Sequence, residues 1–216
     1  MRMTRKRSSD YAIEVGALAP DRNLPQKVGR KMWLPMLVMA LMAFPIAVVL
    51  AAVRSNEIAT GGSEQTIASL GHLVPAVMFI GFASVFAAVS FAIARILGEF
   101  RVGGGKLQES SGAQVRTLKM PTTAKAFLAL MMMAMMGLVG AVVLHFIIAG
   151  AISNGSTYSL GHSEQWSIWL EGVRRTGVAV YLAAISLGLA TVIQVLDFQI
   201  TRVQELPQEK PKAAVS

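Results

Sequence analysis

Three histidines, His72, His145 and His162, are the side chains of this 216-residue chain best suited to chemistry. Imidazole binds copper, zinc or a b-type haem iron, and it hydrogen-bonds a quinone head group. The chain has no cysteine, which removes disulfides, thiolate metal sites and cysteine nucleophiles. No GxSxG elbow, HExxH pair or dinucleotide fingerprint occurs either. His72, His145 and His162 therefore form the candidate metal site, with Glu64 and Glu164 the nearest acids that could orient them. The plainer reading bonds His145 to a backbone carbonyl and makes the other two helix-cap residues. Ser69-Leu70-Gly71-His72 and Ser159-Leu160-Gly161-His162 suit helix starts with the serine as cap.

Two weaker patterns carry less. Met32, Met36, Met39 and Met42 step along one helical face, and Met131, Met132, Met133, Met135 and Met136 crowd a second segment. Thioethers bind Cu(I), but the second group wraps around its helix and reads as apolar filler. Gly103-Gly104-Gly105-Lys106 lacks the spacing and following hydroxyl of a phosphate loop and reads as a flexible turn.

The elements that must position the histidines are hydrophobic. Apolar residues make up 54% and charged residues 15% of the chain, against about 25% charged in a soluble domain. Uncharged runs cover Met32–Val53, Leu70–Ala94, Ala126–Ile152 and Thr176–Leu196. Each meets the roughly 20 residues that cross about 30 Å of hydrocarbon, and in lipid such runs must be helices. The predicted fold is an all-α integral membrane four-helix bundle, with spans at about 32–53, 70–97, 126–152 and 176–196. A basic cytoplasmic tail (1–31) precedes this 32–196 domain and a second tail (197–216) follows it.

Charge gives the direction. Of 20 Lys and Arg, 8 lie in 1–31, 6 in 95–125 and 3 from Asp197 onward. The opposite segments keep only Arg54, Arg174 and Arg175. Both termini are therefore expected on the cytoplasmic side of a plasma or inner membrane. Trp33 would anchor the inner interface, and Tyr158, Trp166 and Trp169 the outer one. Residues 163–175 read as an outer helical lead-in where Glu171 can pair with Arg174 or Arg175. All three histidines fall near the outer face, with His145 about 10 Å deep at 1.5 Å per residue.

The Ser-Leu-Gly-His motif recurs before the second and fourth runs, which suggests two tandem transmembrane hairpins in parallel orientation. Ala40, Ala43, Ala47 and Ala51 match the spacing of Ala134, Gly137, Ala141 and His145. Such stripes allow helices to approach closely in lipid.

The functional expectation is a non-catalytic membrane subunit or scaffold of a larger complex, without a cofactor. Its partners would be the lipid bilayer and other membrane subunits, or further copies of itself, through small-residue faces. The alternative is a membrane redox or metal-binding protein using His72, His145 and His162 for copper, zinc, haem or a quinone. A third reading is an oligomeric channel or transporter, although the four runs hold none of the charged groups such pathways use. Scattered basic residues with few aromatics give no nucleic-acid signature.

Overall fold

The computed structural model describes residues 7–209, so Arg2, Arg5, Lys6, Lys210 and Lys212 of the basic tails lie outside the described residues. Within them, helices dominate: α1 (Leu24–Thr60), α2 (Glu64–Ser110), α3 (Thr122–Ser153), the short α4 (Thr157–Gly161) and α5 (Ser163–Glu205). Strands β1 (Ile13–Gly16) and β2 (Val115–Leu118) complete the order. Four of the helices are long and apolar enough to cross a membrane.

Local signals set the helix ends. Asn23 and Gln26 cap α1 reciprocally: Asn23 Oδ1 accepts from the Gln26 amide, and Gln26 Oε1 accepts from the Asn23 amide at 3.1 Å. Gly61 ends α1 with φ at 73°, and the next amide, Gly62, donates to the Glu57 carbonyl at 2.8 Å. α3 closes in the same way: Gly155 has φ at 84°, and the Ser156 amide donates to Ala151 at 3.0 Å. This left-handed terminus favours glycine. The serine caps differ from the expected ones. Ser63 caps α2 by accepting from the Thr66 amide, and Ser156 caps α4 by accepting from Ser159. Ser69 and Ser159 lie beyond the starts of their helices, because the first turns are set by the glycine-terminated connections before them.

The chain divides into two compact units. The first holds residues 7–32, 90–128 and 185–209. Here β1 and β2 pair antiparallel, with Ile13 opposite Leu118 and Gly16 opposite Val115. Arg202 is wholly buried and donates to Glu205, Glu209, Gln108 and the Gln114 carbonyl. Gln108 in turn clamps Arg116, accepting from its amide and donating to its carbonyl. The expected flexible turn at Gly103–Lys106 is helical, inside α2. A Cβ at Gly104 would collide with Gln199, and one at Gly105 would lie 2.8 Å from Pro20. These glycines admit close neighbours, and that packing overrides a helix-propensity cost of about 1 kcal/mol each.

The second unit holds residues 33–89 and 129–184. Its buried faces follow helical periodicity: His72, Ala76, Phe79 and Ala83 on α2, and Ala134, Leu138, Ala141, His145 and Ile148 on α3. Ala40, Ala43 and Ala47 of α1 are buried, whereas Ala51 is exposed. Gly81 lets the Phe44 ring lie against α2, and Phe44 meets Phe82 edge to face at 5.3 Å. Leu41, Val48 and Val49 on α1 and Met136 and Ile147 on α3 stay more than half exposed.

Candidate functional site

The inward faces of α2 and α3 bring two of the three histidines together. His72 Nδ1 lies 3.0 Å from His145 Nδ1, and both rings are buried. His72 Nε2 lies 3.1 Å from the Ser163 hydroxyl at the start of α5. The neighbouring helical turn adds a second polar rung, where Ser69 Oγ donates to the Ala149 carbonyl and meets Ser153 Oγ at 2.9 Å. Phe79 packs edge to face on His145 with centroids 5.2 Å apart. The Arg174 guanidinium sits 5.7 Å from the centroid of the same Phe79 ring.

Elementary imidazole chemistry limits this pair. Only one hydrogen fits between two nitrogens 3.0 Å apart. If His145 Nδ1 carries it, His72 accepts and its Nε2–H donates to Ser163. If His72 Nδ1 carries it, the Ser163 hydroxyl donates to His72 Nε2, and His145 becomes the Nε2–H tautomer. Both arrangements are neutral and satisfy every group in the chain of contacts. A doubly protonated pair would point two N–H bonds at each other, so the pair holds one positive charge at most.

His162 stands apart. It is exposed, its Nδ1–H donates to the Tyr158 carbonyl at 2.9 Å, and its ring lies against Tyr158. The two motif copies differ in context: the first lies within α2, whereas the second ends α4. Among the described residues, no group of three or more His, Asp or Glu side chains could hold a metal ion. His72 and His145 spend one nitrogen each on the other, and the nitrogens of a linear N–metal–N unit stand about 4 Å apart at ~2.0 Å per bond.

A cavity of about 770 Å³ opens beside the pair. Its polar lining is Arg54, Glu64, His145, Ser163, Glu164, Ser167 and Glu171. Ile67, Pro75, Phe79 and Leu160 supply apolar wall. Gly71 makes room for Arg54, since a Cβ there would lie 3.3 Å from Arg54 Nη2. Arg54 Nε is buried and makes no hydrogen bond among the described residues. Glu171 is bound by Arg174, whose Nε donates at 2.7 Å, and by Arg175 at 2.9 Å. The helical lead-in and its ion pairs thus match the spacing in the sequence.

Sequence reasoning did not single out Ser163 or Tyr181. Tyr181 is wholly buried, stacked on Phe86 at 4.8 Å, and its hydroxyl has no partner among the described residues. A lone tyrosine in an apolar run was the available signal for it. Nothing in the sequence marks Ser163, because only the fold brings α5 to His72. Of the methionines, Met132, Met133 and Met136 are exposed, while Met131 and Met135 pack against the Tyr181 cluster.

Compared with known proteins, the chain matches no family model, no curated protein and no solved structure.

Proposed function

We propose that this chain is an integral membrane protein that crosses the bilayer four times as a bundle of two tandem hairpins. Both termini lie on the cytoplasmic side of a plasma or inner membrane, and the protein serves as a non-catalytic subunit or scaffold of a larger complex. The observation that carries this reading is unused close-packing capacity. Among the described residues, Gly137 and Gly140 on α3 and Gly172 on α5 have no atom beyond their own helix backbone within 4 Å of where a Cβ would stand. Gly137 and Gly172 also line an apolar groove of about 510 Å³ with Ala134, Thr176 and Val180. In lipid, small residues earn their place by letting another helix approach, and within this unit nothing approaches these three. The partner is a transmembrane helix of another subunit or of a second copy. Purification at native expression in mild detergent tests this. A copurifying membrane protein or a self-oligomer, lost on Gly137→Leu with Gly172→Leu, is expected. A clean monomer sinks the reading.

A second reading is favoured by the histidine pair: a membrane protein that binds a redox-active ligand at the outer side. A buried imidazole pair beside a 770 Å³ cavity is more than helix packing requires. The mutual hydrogen bond supports an organic, hydrogen-bonding ligand over copper, zinc or haem. An absorption spectrum and metal analysis of purified protein test the difference.

A further inference from the structure

We infer that the cavity beside His145 binds a quinone or hydroquinone head group; this rests on the second reading above. The hydrogen shared by the histidines carries the inference. His145 lines the cavity and its Nδ1 is taken by His72, so Nε2 is the nitrogen left for a ligand. With the hydrogen on His145 Nδ1, that Nε2 is a bare acceptor, which a hydroquinone hydroxyl needs. With the hydrogen on His72 Nδ1, Nε2 carries a hydrogen, which a quinone carbonyl needs. The change is a relay: His145 Nε2 takes a hydrogen from the cavity side, the Nδ1 hydrogen crosses the 3.0 Å contact to His72, and the His72 Nε2 hydrogen passes to the Ser163 oxygen, which releases its own hydrogen into the cavity it also lines, so no net charge develops. One site thus serves both oxidation states of one ring.

The walls suit that ligand. Pro75, Phe79 and Leu160 offer apolar surface for a flat ring. The volume falls within the roughly 300–1,000 Å³ of small-molecule sites. Charge is balanced: Glu64, Glu164 and Glu171 on the wall are matched by Arg54 on the wall and by Arg174 and Arg175, which hold Glu171. A site so neutralised favours a neutral molecule over a free ion of either sign. Arg54 lines the same cavity, and its guanidinium can donate to the second ring oxygen.

The test uses the full chain in nanodiscs free of quinone, titrated with ubiquinone-1 in its oxidised and reduced forms. Quenching of Trp166 and Trp169 is followed, since α5 carries both beside cavity residues. Saturable quenching by both forms is expected. Loss of one hydrogen bond in His145→Leu should weaken both by about tenfold. Ser167→Phe, which narrows the cavity and leaves the pair intact, should weaken both as well, and Thr191→Val in the other unit should change neither. Quenching that rises without saturation, or that saturates in His145→Leu and Ser167→Phe with the affinity of the unaltered protein, overturns the inference. Parallel titrations with Cu(II) and Zn(II) separate the two levels. If a metal alone binds in a His145-dependent manner, the quinone assignment fails and the ligand-site reading stands. If neither metal nor ubiquinone-1 binds, both fail.

Discussion

Arg202 in the first unit and His72 in the second are equally buried, yet their surroundings differ in kind. Arg202 carries a fixed charge and is enclosed by two carboxylates, a glutamine and a carbonyl. His72 is held by one histidine and one serine, each able to exchange donor and acceptor roles. A buried guanidinium tolerates no ambiguity, because any unpaired donor carries a large desolvation cost. A neutral imidazole chain tolerates two hydrogen arrangements, and beside a cavity that freedom becomes available to a ligand. The first arrangement locks chain segments; the second leaves a choice open.

The largest effect that would break this contrast is at Arg202. Arg202→Met removes the charge that Glu205 and Glu209 enclose, and should cost about 3 kcal/mol, read as unfolding of the detergent-solubilised protein. A loss below 1 kcal/mol would show that the network is incidental. His72→Ala should cost less, about 2 kcal/mol, for a lost contact and a partly filled void. Its further mark is a changed environment for His145, visible in imidazole nitrogen NMR signals; unaltered signals would mean that the rings do not touch.

Acidity provides a third, gentler probe. The Arg202 hydrogen bond holds the Glu209 carboxyl below its ordinary range, outweighing the desolvation that raises it. A lowered folded value means that the contact contributes its stability above the ordinary carboxylate range and loses it as pH falls through the lowered value. Proteolysis near residue 209 should therefore stay slow at neutral pH and rise only in acid. An equal rise toward alkaline pH would contradict the pairing. Smallest is Tyr181→Phe. Removing an unpartnered buried hydroxyl should leave stability unchanged or raise it by up to about 1 kcal/mol. A clear loss would reveal a partner for that oxygen.

The four long helices were legible because uncharged runs of this length leave few alternatives. Glu171 with Arg174 and Arg175 was legible from spacings of three and four. Half of the site was legible too, since His145 lies on the inward face of its helix. The partner choice was not, because repeated Ser-Leu-Gly-His words hide different settings: one inside a helix, one ending a five-residue helix. The reading of Gly103–Lys106 as a turn failed for a related reason. Glycine's propensity is local, whereas Gln199 and Pro20, which fill the space beside Gly104 and Gly105, are distant in sequence. The folding of residues 7–23 onto β2 and Glu205 likewise depends on long-range pairing.

The α1–α2 connection is residues 61–63 alone, tied down by the bond from Gly62 back to Glu57. That leaves no slack for an inserted epitope, whereas Asn154–His162 presents exposed Tyr158 and His162 on a separate short helix. Antibodies and tags therefore have a single hospitable landing place among these two connections, and engineering of the protein for imaging or capture should begin in the second at Asn154–Tyr158, ahead of Leu160 on the cavity wall.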